Sequence, residues 1–225
     1  MDNLTIRAFA ALLILILVMA ALLFIPAGTL NYWQAWTYLA VYFLASVAVT
    51  LYLAKYDRKL LQRRMSGGPS AEKETTQKIV MSIVSVGFIG LLVVPALDHR
   101  FGWSHMPPLA ALAGEALMLL GWLAIFFVFK ENTFTSATIE LAPEQKVIST
   151  GPYALVRHPM YAGGMVLLLG MPIALGSWWG LIVFAAMIPA LIWRLIDEEK
   201  FLARKLPGYL EYRNKVRYRL APRIW

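Results

Sequence analysis

Four stretches of this chain stay apolar far longer than a soluble fold requires: Leu4–Ile25, Tyr32–Ala54, Ile79–Leu97 and Pro108–Phe129. A helix needs roughly 20 such residues to cross a bilayer core, and only helices and closed barrels satisfy their backbone groups there. A fifth apolar stretch, Met160–Arg194, exceeds one span and is broken at Gly176-Ser177-Trp178-Trp179-Gly180. That break predicts two antiparallel helices joined by a tight turn. Each would have about 16 residues, short for a span, and would need shelter from protein or interfacial tryptophans. The expected fold is an all-α integral membrane protein of about six transmembrane helices, the last two a tight helical hairpin. It forms one membrane domain over 1–225, with a four-helix part at 1–130 and the site-bearing region at 131–225.

Composition agrees. Of 225 residues, 60% are hydrophobic and only 15% charged, too apolar for a soluble domain. The first run outlasts the ~7–15-residue core of a secretory signal, and no small-residue cleavage site follows it, so it reads as a retained helix. The net charge of +8 is informative through its placement. With the N-terminus in the cytoplasm and six crossings, every Lys and Arg except Arg100 falls on the inner side, as the positive-inside bias demands. Both termini are then cytoplasmic, and the basic excess answers anionic lipid headgroups. No groove-reading or base-stacking module suggests a nucleic-acid partner. The absence of cysteine excludes disulfides and thiolate chemistry. Three histidines far apart argue against a metal site.

Three inner segments follow from this topology. The first, "KYDRKLLQRRMSGGPSAEKETTQK", starts basic and helical and breaks at Ser66-Gly67-Gly68-Pro69. It reads as a juxtamembrane linker at the headgroups. The second runs from Lys130 to His158. Its "NTFTSATIEL" and "QKVIST" are rich in Thr, Ile and Val around Ala142-Pro143-Glu144, which predicts two short extended pieces about a turn. So long a loop in a compact protein is usually functional. The third is the tail, where Pro207 suits the first turn of a helix. On it Tyr209, Tyr212 and Val216 share a face, with Arg213 and Arg217 beside them. Such an amphipathic helix lies on the membrane or caps the inner face.

Chemistry-bearing residues gather where the hairpin meets that face. Tyr153, Arg157, His158, Pro159 and Tyr161 precede or open its first helix; "WRLIDEEKFL" closes its second. Antiparallel pairing brings His158 near Glu198. Arg194 and Glu198 lie one helical turn apart, and an unpaired charge near the boundary is costly. A ligand of both signs would satisfy them. Asp197, Glu198 and Glu199 crowd three carboxylates that a cation would relieve, and Tyr153, Tyr161 and Trp193 offer faces for an onium group. Plainer readings stand beside these. Arg194–Glu198 serves equally as an interfacial ion pair, the acidic run as a solvated helix end, and His158 as the residue before a helix-opening proline. Gly163 and Gly164 read as helix-packing residues.

"STGPYALVRHPMYAGG", then "WRLIDEEKFL" and "LPGYLEYRNKVRYRLAP", together resemble the isoprenylcysteine carboxyl methyltransferase family. More broadly they are similar to the membrane methyltransferases that include the phospholipid N-methyltransferases. The resemblance covers Asn132 to Pro222. It implies S-adenosylmethionine as cofactor, bound at the cytosolic ends of the last helices by Gln145, Val147, Ile148, Tyr153, His158, Pro159, Met160, Tyr161, Glu198 and Glu199. The match at Gln145–Ile148 is by offset rather than identity. The resemblance also implies that Arg194 faces a lipophilic acceptor, so that Arg194 and Glu198 are the catalytic candidates. A carboxylate acceptor needs no base, and Arg194 would hold it by two hydrogen bonds. An amine needs a proton acceptor from Asp197–Glu199. Two other classes compete: an NADPH-dependent sterol-type reductase, which needs cations for phosphates, and a non-enzymatic transporter or scaffold, which would place ionisable groups along a midplane path.

Overall fold

A computed structural model describes residues 3–142 and 144–225. Eight α-helices follow in order: α1 (Asn3–Ala27), α2 (Trp33–Tyr56), α3 (Arg58–Met65), α4 (Thr75–Phe101), α5 (Pro108–Glu131), α6 (Pro159–Ala174), α7 (Trp179–Lys205) and α8 (Tyr209–Lys215). Short 3-10 turns lie at Pro69–Ala71 and Gly151–Ala154, and no strand occurs among the described residues. Five helices, α1, α2, α4, α5 and α7, are long and apolar enough to cross a membrane. The chain is an all-helical integral membrane protein.

The hairpin departs from expectation. Its first helix, α6, has 16 residues and is about 24 Å long at 1.5 Å per residue, short of the ~30 Å core. Its second, α7, has 27 residues. The apolar run stops at Arg194, but "RLIDEEKFLARK" is made of good helix formers and carries the helix to Arg204 and Lys205, whose charges suit a C-terminal turn. Every residue of α6 is buried or half-buried, so the protein shelters this short element.

Glycines set the closest helix contact. A Cβ on Gly114 would lie 2.2 Å from the Ala174 nitrogen, and one on Gly121 would lie 2.6 Å from the Leu167 nitrogen. The α5 and α6 backbones therefore touch, as small residues permit in membranes. Gly163 joins this seam, with Ala124 Cβ 3.0 Å from its own added Cβ; Gly164 meets nothing within 4 Å. Only one of the two adjacent glycines is a packing residue. Met19, Leu23, Tyr38, Leu91, Met118 and Met171 fill the interior between the long helices.

The turns at the end opposite the basic segments are stapled by Asp98. Its carboxylate accepts from the Ser104 amide and hydroxyl, each at 2.6 Å, and from the Ser177 hydroxyl at 2.5 Å. That ties α4 to the α6–α7 turn, where Gly176 takes φ +75.

The first basic segment is no linker. Asp57 caps α3 by accepting the Leu60 amide at 3.0 Å. Leu60 and Leu61 are buried with Ala8, Leu53 and Phe129. The two stretches expected to be extended form an irregular loop instead. Arg63 and Arg64 donate to the Thr133 and Ser136 carbonyls at 2.5 and 3.0 Å. Backbone groups that a neighbouring strand would satisfy are thus taken by side chains. The Ala142 carbonyl accepts the Gln145 amide at 3.2 Å, closing the expected turn; Pro143 lies outside the described residues. In the tail, Gly208 at φ +83 delays the helix to Tyr209, so Pro207 precedes α8 and Arg217 follows it. Leu206, Tyr209, Tyr212 and Val216 pack on Leu141, Val147, Tyr153 and Leu202. The tail lies over the 132–150 loop.

Candidate active site

Pro159 opens α6 at its first position, and His158 before it has φ −123 and ψ 60, outside the helix as pre-proline residues prefer. The extended Arg157–His158 backbone is caught by the tail: their amides donate to the Tyr218 and Arg219 carbonyls, both at 2.9 Å. The Arg157 side chain completes that junction. Its Nε donates to Glu199 Oε1 at 2.6 Å, and its Nη1 donates to the Val216 and Arg217 carbonyls at 2.9 and 2.7 Å. Arg219 Nε donates to the other Glu199 oxygen at 2.9 Å. Glu199 is thus clamped between two guanidiniums.

One turn of α6 later, the Tyr161 hydroxyl donates to Glu198 Oε2 at 2.6 Å. The rings of Tyr161 and His158 meet edge to face, 5.8 Å between centroids. Imidazole, phenol and carboxylate therefore line up across the α6–α7 hairpin. His158 Nε2 is buried and makes no hydrogen bond; Glu199 Oε1 lies 3.7 Å away, too far for one.

These groups border a cavity of about 420 Å³. Gln145, Val147, Ile148 and Tyr153 line it from the loop, and His158, Pro159, Met160 and Tyr161 from the start of α6. Arg194 and Glu198 line it from α7, with Tyr209 and Tyr212 from α8. Gly164 also faces it, which explains the open space at that residue. Of the expected residues, Trp193 and Asp197 are not in the lining, and neither is Glu199. A helical step of about 100° separates it from Glu198, turning it toward the tail.

Two phenols of the cavity roof are held in place. The Tyr212 hydroxyl donates to the Tyr153 carbonyl at 2.8 Å, and Asn132 Nδ2 donates to the Tyr153 hydroxyl at 2.9 Å. Burial pushes the Tyr153 phenol well above its usual range. Burial also pushes Tyr212 up to about 12, with Arg157 pulling the other way. Both are neutral phenols at physiological pH, offering donors and ring faces rather than charge.

Arg194 is not paired as its spacing to Glu198 suggests. Its Nη2 donates to Glu72 Oε1 at 2.6 Å and to the Ala137 carbonyl at 3.1 Å; its Nη1 donates to Gln77 Oε1 at 2.9 Å. Gln77 Nε2 in turn donates to Asp197 Oδ2 at 2.9 Å. The sequence reading missed Glu72 and Gln77, because nothing in the first basic segment marks them as buried. Arg64 also lines the cavity. Burial, then the neighbouring Arg194 charge, lowers its hold on its proton.

The floor of the cavity is different. Met81 of α4, Ile125 of α5, Leu168 of α6 and Leu191 of α7 line it toward the membrane interior. Polar groups stand at one end and aliphatic ones at the other.

The family model described as phospholipid methyltransferase matches residues 109–207, the run from α5 to just past α7 that contributes most of the cavity. Over 105 residues the chain is 29% identical to the cobalt-zinc-cadmium resistance protein CzcN of Cupriavidus metallidurans, across 44% of this chain and 47% of that protein. The chain thus spans about half the length of the curated relative it matches. Residues 109–207, which carry the hairpin and its cavity, are thus similar to the phospholipid methyltransferases, membrane methyltransferases related to the isoprenylcysteine carboxyl methyltransferases.

Proposed function

We propose that the chain is an S-adenosylmethionine-dependent methyltransferase acting on a lipophilic acceptor, with cavity and termini at the cytoplasmic face. One observation supports this above the rest. A single cavity joins Glu198, Tyr161 and His158 at its polar end to an aliphatic floor reaching into the helices. At about 420 Å³ it falls in the usual range of small-molecule sites, ~300–1,000 Å³.

The residues present suit the donor. Glu198 is a carboxylate for an ammonium, the Tyr153 and Tyr161 rings provide faces for a cation, and His158 Nε2 is a buried polar atom that makes no hydrogen bond. Gln145, Val147 and Ile148 border the same space. When bound, S-adenosylmethionine supplies a methyl group on cationic sulfur, open to in-line displacement. The remaining work is orientation. Pro159 and the backbone bonds of Arg157 and His158 fix where α6 begins, and the Tyr161 hydroxyl fixes the Glu198 carboxylate.

The state of Arg194 bears on the acceptor. Both terminal nitrogens already donate to Glu72, Gln77 and Ala137. A two-pronged grip on an acceptor carboxylate would have to displace them. An amine acceptor makes no such demand on Arg194, which favours an amine, arriving neutral or giving its proton to a nearby carboxylate. The isoprenylcysteine-type carboxylate is the second choice. A reductase needs cations for phosphates, yet Arg64, Arg157 and Arg194 all donate to protein oxygens here.

Calorimetry on detergent-solubilised protein tests the reading: S-adenosylhomocysteine should bind and raise the thermal midpoint, whereas NADPH should not. Incubating native membranes with methyl-labelled donor should place label in a lipid-soluble product. Stabilisation by NADPH alone would overturn the proposal.

A further inference from the structure

Glu72 lies between the Pro69–Ala71 turn and α4, in the basic segment that precedes the family-matched region. It is nonetheless only 4% exposed. One carboxylate oxygen accepts from Arg194 at 2.6 Å and the other from the Ile139 amide at 3.3 Å. Gln77, on the first turns of α4, links the same guanidinium to Asp197. A continuous set of bonds therefore runs from residues 136–139, which line the cavity, through Glu72 to the face of α7 that bears Glu198. Arg64, donating to the Ser136 carbonyl, holds the same loop wall from the other side of the first basic segment. Glu72 itself does not line the cavity.

Building on the methyltransferase reading above, we infer that Glu72 is a positioning residue. It holds the Arg194 guanidinium and the 133–139 wall in one arrangement, so the acceptor end of the cavity keeps its shape, while Glu72 touches neither reactant. An ordinary buried ion pair would contribute to folding alone. A positioning residue acts on turnover while donor affinity stays unchanged.

The experiment uses the full chain in detergent and in native membranes. Glu72→Ala should raise amide hydrogen exchange across 133–139 by about tenfold or more, since a charge-assisted bond is lost. It should lower kcat for label transfer into membrane lipid by a similar factor. Calorimetric affinity for S-adenosylhomocysteine and the donor KM should be unchanged. Glu72→Gln keeps an acceptor oxygen and should recover part of both losses. If Glu72→Ala does not fold, the Glu72→Gln variant carries both measurements. Normal exchange with normal kcat, or a loss of donor affinity equal to the loss of kcat, overturns the inference. If the unmodified protein fails to bind S-adenosylhomocysteine, the functional reading falls. Hydrogen exchange then decides alone whether Glu72 holds the wall.

Discussion

Glu198 and Glu199 are neighbours in sequence, but their surroundings predict opposite consequences of removing them. The Arg157 and Glu199 side chains are 5% and 7% exposed and 2.6 Å apart. Deleting one partner of such a pair leaves a buried charge and costs about 3–5 kcal/mol. The second bond, to Arg219, adds little, because that side chain is 33% exposed and exposed pairs contribute only ~0–1 kcal/mol. Glu199→Ala should therefore destabilise the protein by about 3–5 kcal/mol. It should also free the tail, since the Val216 and Arg217 carbonyls depend on the same guanidinium. Denaturant titration in detergent reads the first effect and limited proteolysis near residues 216–219 the second. S-adenosylhomocysteine affinity, measured on the folded fraction, should change little. Glu198→Ala should reverse the pattern, with weaker ligand binding and a stability loss of about 1–3 kcal/mol from the Tyr161 hydroxyl. Replacing Arg157 and Glu199 together by apolar residues should recover much of the stability lost in Glu199→Ala. An unchanged denaturation midpoint in Glu199→Ala, with ligand binding lost, would refute the assignment of Glu199 to the scaffold.

Other outcomes follow from the glycines and from the opposite face. Gly164→Leu should occupy cavity space that is open in the native protein, weakening donor or acceptor binding while the thermal midpoint holds or rises. Gly121→Ala should instead cost about 1–3 kcal/mol, as overpacking against rigid backbone does, because its Cβ would meet the Leu167 nitrogen at 2.6 Å. Asp98→Ala strands Ser104 and Ser177 and should cost about 1–3 kcal/mol, lowering the thermal midpoint without altering ligand affinity.

The long spans were legible because hydropathy alone specifies them: the ends of α1, α2, α4 and α5 fall close to those of the apolar runs. The length of α7 was not, because its polarity changes at Arg194 while its helical register continues. The hairpin turn and the gathering of Tyr153, His158, Tyr161 and Glu198 at one cavity followed from chain order and from the apolar break. Which of two adjacent residues faces the cavity did not. Glu198 and Glu199, like Gly163 and Gly164, differ only by a helical step, and the partners that decide between them lie elsewhere in the chain. Glu72 was invisible for the same reason. Its burial depends on Arg194 and on the Ile139 amide, with no local pattern to betray it. The Thr- and Ile-rich loop shows the converse, a strand propensity with no neighbouring strand to pair with.

Under the proposed function, the aliphatic floor formed by Met81, Ile125, Leu168 and Leu191 would give this site two solvents. A ligand arriving from water is counted per litre, whereas one arriving through the bilayer is counted per lipid molecule. Adding detergent or lipid at fixed protein would dilute the second kind and leave the first untouched. Affinities for an oily ligand therefore acquire meaning only when stated as mole fractions in the surrounding amphiphile, and a detergent tail of suitable length becomes a competitor in its own right.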